Sequence, residues 1–283
     1  MRKLHGSQSL FEVGEPPVRL YLRYSRVHNG GRTFYGLREQ DLARLGGHPS
    51  ILCFLWDAQE EPLLIPYGEV EEVFEAVSPA SDGQYKAQVY LQEEGNELYV
   101  ARAGRFSVEA YGGWETLVRL VAGTGAEPTP ELSHDQVQTL LGSIGSLKNC
   151  DVWLPRADRK KLDWSLAQRF PCSDTLPPAL SEVDAVAAFI DVIWLRRGTR
   201  VPVRLFEVEH TTPVYGGLLR LNDVYLSAPQ LETGCAVVAE RTRKSVFVRQ
   251  VNRPTFKASG LNDRCAFLDY REVYCWHKRL TGA

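Results

Sequence analysis

Three carboxylates set inside two short apolar runs constrain this chain more than any other feature. Asp191 falls in Ala-Ala-Phe-Ile-Asp-Val-Ile-Trp-Leu (187–195), and Glu207 and Glu209 fall in Arg-Leu-Phe-Glu-Val-Glu-His-Thr (204–211). The link Arg-Arg-Gly-Thr-Arg (196–200) reads as a turn. Residues two apart on a strand share a face, so Glu207 and Glu209 point the same way. A hairpin folding back near Gly198 and Thr199 brings Asp191 within about one residue of Glu207 across the ladder. Three like charges on one patch of an apolar sheet are costly without a cation among them. The expectation is a divalent-metal site. The bland alternative sets Glu207 and Glu209 in solvent on an edge strand, with Phe206 and Val208 packed inward.

The rest of the chain narrows the function classes. A hydrophobic fraction of 44% and a charged fraction of 24% in 283 residues are those of an ordinary globular protein of one or two domains. No apolar run approaches the length of a membrane span, and the start Met-Arg-Lys-Leu-His-Gly-Ser-Gln has no apolar segment behind it, so a cytoplasmic location is expected. The six cysteines (53, 150, 172, 235, 265, 275) lack zinc-ligand spacing and read as reduced thiols. A net charge of −2 excludes a nucleic-acid coat but permits basic residues confined to one groove. No Gly-x-Gly-x-x-Gly, P-loop or Gly-x-Ser-x-Gly is present, which removes support for nucleotide-cofactor enzymes and serine hydrolases.

Residues 122–131, Ala-Gly-Thr-Gly-Ala-Glu-Pro-Thr-Pro-Glu, mark a domain seam. Before it, residues 1–122 read as a small α+β domain with strands at 18–22, 50–56, 62–66, 85–91 and 97–100 and helices at 37–45 and 68–77. After it, residues 131–283 show a regular order. Ser133 and Gln136 form a capping box for a helix with Val137, Leu140, Leu141, Ile144 and Leu147 on its apolar face. A strand at 150–154, a polar excursion at 155–181 and the carboxylate hairpin follow. Thr212 is read as the cap of the next helix, with Pro213 in its first turn. A strand at 235–239, a helix at 243–252 stopped by Pro254 and a last strand at 266–270 complete a mixed sheet between helices.

An acid on the second strand and Glu-x-Glu on the third, in that element order, resembles the PD-(D/E)XK nuclease superfamily over roughly residues 131–275. Asp191 matches the first acid of that motif and Glu207 the second; Glu209 stands where a Lys is more usual, as in some type II restriction endonucleases. The resemblance implies a restriction-endonuclease-like α/β core, a mixed sheet flanked by helices, preceded by the α+β N-terminal domain. It also implies a Mg²⁺-dependent DNA endonuclease (Mn²⁺ able to substitute) serving restriction or phage defence, with DNA as partner and a homodimer expected. Asp191, Glu207 and Glu209 would be both catalytic and metal-binding. The competing reading is a non-cutting DNA-binding or regulatory protein on a degenerate nuclease fold.

Other candidates carry weaker signals. Arg156, Arg159, Lys160 and Lys161 form the densest basic cluster and suit a phosphate-tracking loop. Arg220 is a candidate phosphate contact, with Asn222 and Asp223 beside it on the polar side of the helix; Arg253 and Lys257 flank Pro254. Glu182 and Asp184 precede the second strand and suit either a further carboxylate ligand or helix-start acids. His210 points away from Glu209 by alternation. In the N-terminal domain Arg23, Arg26, Arg32, Lys86, Arg102 and Arg105, with Tyr21, Tyr24, Tyr35, Tyr90, Tyr99 and Trp114, would serve a DNA-recognition module by analogy alone.

Overall fold

The computed structural model describes residues 1–15, 17–122, 130–231 and 233–282. Most of the expected seam, 123–129, lies outside the described residues. The chain divides into two compact units, Met1–Ala103 with Tyr111–Pro128 and Gly104–Ala110 with Thr129–Ala283.

The first unit contains β1 (Arg2–Lys3), β2 (Leu10–Val13), β3 (Val18–Ser25), β4 (Tyr35–Arg38), α1 (Glu39–Ala43), β5 (Ser50–Trp56), β6 (Leu63–Pro66), α2 (Glu71–Glu75), β7 (Gln84–Tyr90), β8 (Glu97–Val100) and α3 (Glu115–Val121). Its five-stranded sheet runs β1-β2-β3-β5-β6, and β7 pairs with both β4 and β8. The expected helix at 37–45 is therefore a strand end followed by the short α1. Leu37 pairs with Tyr85 and is fully buried, so ladder hydrogen bonds and burial override the helical spacing.

The second unit contains β9 (Gly104–Ser107), α4 (His134–Leu147), β10 (Cys150–Trp153), α5 (Asp184–Ala187), β11 (Val192–Arg196), β12 (Pro202–Glu209), α6 (Val214–Ser227), β13 (Gly234–Ala239), α7 (Lys244–Val251), α8 (Pro254–Ser259), β14 (Cys265–Asp269) and α9 (Tyr270–Thr281). Its strands lie in the order β10-β11-β12-β13-β14-β9. β11 is antiparallel to both β10 and β12, and β12, β13, β14 and β9 run parallel. This is the mixed sheet of a restriction-endonuclease-like fold, with helices on both faces.

Alternation along these strands explains the two layers. Val152, Trp194, Phe206, Val208, Ala236, Val238, Ala266 and Leu268 share one buried cluster with Leu140, Leu141 and Ile144 of α4 and Val273 and Trp276 of α9. The opposite face meets α6 and α7, where Phe247 lies 5.5 Å from Phe267, centroid to centroid. With both faces covered, the strands are continuous apolar runs rather than alternating ones.

Ser133 and Gln136 cap α4 reciprocally. The cap position expected of Thr212 is taken by Pro213, which offers no side-chain hydrogen bond, and the Thr212 hydroxyl bonds elsewhere. Pro254 both follows α7 and opens α8, its missing N–H harmless at a first turn. The segment 104–110, expected in the first domain, belongs to the second unit because β9 pairs with β14, Ala266 to Arg105 and Phe267 to Phe106.

Candidate functional site

The hairpin β11–β12 pairs Val192 with Phe206, so one further step sets Asp191 opposite Glu207. The turn uses Gly198 and Arg200, both at positive φ. Asp191 itself stands just ahead of the ladder rather than inside it. Its Oδ2 accepts the Val208 N–H at 2.7 Å, and its backbone carbonyl accepts Gln138 Nε2 at 2.9 Å. His134, at the first turn of α4, places Nε2 3.6 Å from Asp191 Oδ1. The neighbouring carboxylate holds that imidazole protonated to higher pH than a free one.

Glu207 and Glu209 lie on the α6 face and are 0% and 1% exposed, which rules out the solvent-facing alternative. Gly217 makes this possible: a Cβ there would stand 2.6 Å from Glu209 Oε1 and 3.0 Å from Glu207 Cβ. Three residues on, Arg220 donates from Nε to Glu207 Oε1 at 2.9 Å and from a terminal nitrogen to Oε2 at 2.5 Å. The same nitrogen lies 3.8 Å from Glu209 Oε1. Glu209 Oε2 accepts the Thr212 hydroxyl, while Oε1 is buried with no hydrogen-bond donor. Burial pushes the Glu207 carboxyl up to about 8, against the pull of Arg220 and with the charges of Asp191 and Glu209 adding to the rise.

The structure thus gathers the acids of the hairpin around a guanidinium. Among the described residues no three His, Cys, Asp or Glu side chains form a group that could hold a metal ion. A smaller donor set still suits Mg²⁺, which binds through one or two carboxylates and keeps waters and phosphate oxygens for the rest. Glu209 Oε1, a buried hard oxygen without a donor, is an acceptor of that kind.

Tyr270 opens α9 at the end of β14, where Glu209, Ala239 and Asp269 lie in register across three parallel strands. Its hydroxyl is buried without a hydrogen-bond partner, and the exposed His210 stacks on its ring with centroids 6.0 Å apart and planes 4° apart. Tyr270, His134 and Gln138 carried no sequence signal as site residues.

Other sequence candidates fall elsewhere. Arg159 staples a loop through the carbonyls of Leu154 and Ser173, Arg156 donates to Asp174 O, and Lys161 pairs with Asp158. These bonds occupy three members of the cluster expected to track phosphate. Asn222 is buried and accepts the Ser259 hydroxyl, so it does not lie on a polar face. Asp223, Glu182 and Asp184 are exposed. In the first unit Lys86 pairs with Asp82, Arg23 donates to Ser9, and Tyr21 and Tyr35 are core.

Residues 122–279 match the family described as the type II restriction enzyme NmeDI C-terminal domain. That span is more than half of the chain and contains every side chain of the site. The chain belongs to this family. Searches of the curated proteins and of the solved structures gave no match. Within the family domain, the carboxylate hairpin holds a buried glutamate oxygen without a hydrogen-bond donor beside a carboxyl that burial pushes upward.

Proposed function

We propose that this member of the NmeDI C-terminal domain family is a metal-dependent DNA endonuclease of the PD-(D/E)XK superfamily in its Glu-x-Glu form. The observation that carries the reading is the placement of Asp191, Glu207 and Glu209 around one end of the β11–β12 hairpin, inside the span matched to a restriction enzyme's domain. Asp191, Glu207 and Glu209 would hold Mg²⁺, with Mn²⁺ as substitute. When bound, the ion would offset phosphate charge and lower the pKa of a nearby water.

The protein's own groups supply the rest. Glu209 would join the ion through Oε1, its oxygen without a hydrogen-bond donor, and the proton released as a water oxygen bonds to phosphorus and the bond to the leaving oxygen breaks passes to solvent. Arg220, half-exposed, presents N–H donors to a phosphate oxygen while its charge offsets Glu207. His134 and Gln138 fix Asp191 from the α4 side. Restriction or phage defence, a cytoplasmic setting and a homodimer belong to the same proposal, as does DNA recognition by the first unit.

One observation favours a second reading, a DNA-binding or regulatory protein that no longer cuts. Arg220 already bridges toward both glutamates, as a structural substitute for the ion would. Incubating supercoiled plasmids of varied sequence with Mg²⁺ or Mn²⁺ decides between them. The wild type is expected to nick or linearise them, and Asp191→Ala and Glu209→Gln to cut at least about 10²-fold more slowly. Intact plasmid under every condition would establish the non-cutting reading.

A further inference from the structure

Residues 241–257, Arg-Thr-Arg-Lys-Ser-Val-Phe-Val-Arg-Gln-Val-Asn-Arg-Pro-Thr-Phe-Lys, carry six cations and no acid in a chain whose net charge is −2. Several cations elsewhere are answered by carboxylates, as in Arg220–Glu207, Lys161–Asp158, Lys86–Asp82 and Arg279–Glu109. Here the pattern differs. Among the described residues Arg249, Arg253 and Lys257 are exposed and pair with no carboxylate. Lys244 is the buried exception, its ammonium 5.8 Å above the Phe267 ring.

Both ends of this stretch abut the connection that leaves the carboxylates. Arg243 donates to the carbonyls of Glu209 at 2.8 Å and His210 at 3.0 Å, and to that of Thr212. Arg253 lies 4.9 Å above the ring of Tyr215, in the first turn of α6, which also packs against Phe256. Between them α7 buries Phe247, Val248 and Val251 and leaves Arg249 outward. Three exposed cations without carboxylate partners, Arg249, Arg253 and Lys257, on a stretch fastened at both ends beside a carboxylate site, fit a polyanion laid across that site. They do not fit a random solvated face, on which acids would be interspersed.

We propose that the exposed cations of α7 and α8, Arg249, Arg253 and Lys257, form the surface that binds the phosphate backbone of duplex DNA at this site. This rests on the reading of DNA as substrate, and it displaces the 156–161 cluster from that role. The strip gives affinity and register without reading bases.

The test is binding rather than cutting. Fluorescence anisotropy of a labelled duplex of about 25 base pairs, titrated in EDTA at several salt concentrations, gives the slope of log affinity against log salt. Replacing all three residues with Gln is expected to weaken binding at least tenfold near 0.1 M salt. It should also shrink the slope by about one unit per cation removed. Because Arg253 packs on Tyr215, the double variant Arg249→Gln/Lys257→Gln provides a second measurement, with a loss of about two units. Arg156→Gln/Lys160→Gln/Lys161→Gln should keep the wild-type slope. Unchanged slopes in the strip variants, or a wild type that binds no duplex, would overturn the inference. A wild type that binds through this face yet leaves plasmid intact in Mg²⁺ would sink the nuclease reading and leave the surface standing.

Discussion

Glu207 concentrates the chemistry of this protein in one side chain. Its carboxyl is fully buried and pushed up to about 8, while an unfolded chain releases that proton near 4.5. Between those values the native state holds a proton that the unfolded state has lost. The associated stability is full below about 4.5 and is lost as pH rises through about 8. Thermal unfolding of Glu207→Gln should therefore show a smaller decline in Tm from pH 5 to pH 8.5 than the wild type; parallel curves would refute the assignment. Arg220→Ala leaves that carboxyl buried without its partner and should cost roughly 3 kcal/mol, the low end for a broken buried pair because Glu207 can protonate. Denaturant unfolding checks the figure. The two glutamates were legible because alternation is a local property of the strand. Arg220 was singled out only as a phosphate contact; its pairing with Glu207, like the placing of His134 and Tyr270, depends on where separate helices land.

At the scale of elements, α4 and its contact with β11 show what patterning conveys and what it omits. The capping box and apolar spacing mark the helix, but nothing in them requires glycine at 142 or 145. The packing does: a Cβ at Gly145 would lie 2.5 Å from Trp194 Nε1, and one at Gly142 would lie 2.0 Å from Phe170 Cζ. Trp194 is fully buried and donates to Leu141 O at 3.0 Å, so it cannot swing aside without losing that bond. Gly145→Ala should destabilise by about 1–3 kcal/mol through overpacking, although alanine gains up to about 1 kcal/mol of helix propensity. A stabilised variant in denaturant titration would show that the interface has slack. The last helix, α9, was legible and passed over: Asp269 and Glu272 form a second capping box, hidden at the end of an apolar strand. The strand β9 was not legible, since Gly-Arg-Phe-Ser has no alternation and its partner β14 lies far along the chain.

For the molecule as a whole, that strand decides where the second unit begins. Phe106 is 2% exposed beside Phe267, and removing residues before 129 would leave one edge of β14 unpaired. An apolar edge of that kind invites association with other chains. A fragment spanning 129–283 should unfold at lower temperature than the full chain and elute partly as aggregate in gel filtration. A monomer with the full chain's Tm would show β9 to be dispensable. Among the described residues no helix is long and apolar enough to cross a membrane. The β11–β12 hairpin was legible because its connection is short, whereas the pairings among β12, β13, β14 and β9 join strands far apart in the chain.

The amino-acid order alone determined that Glu207 and Glu209 share a face, that a turn near Gly198 returns the chain to Asp191, and that a capped helix precedes the hairpin. These follow from strand and helix periods that repeat over a few residues. Tertiary structure alone decided that the face is covered by α6, that Gly217 lets the helix approach, and that Arg220 meets the buried charge. It also decided that Arg159 is tied to the carbonyls of Leu154 and Ser173, and that Arg249, Arg253 and Lys257 stay exposed. Burial and charge compensation depend on neighbours brought in from distant parts of the chain, and no local period encodes them.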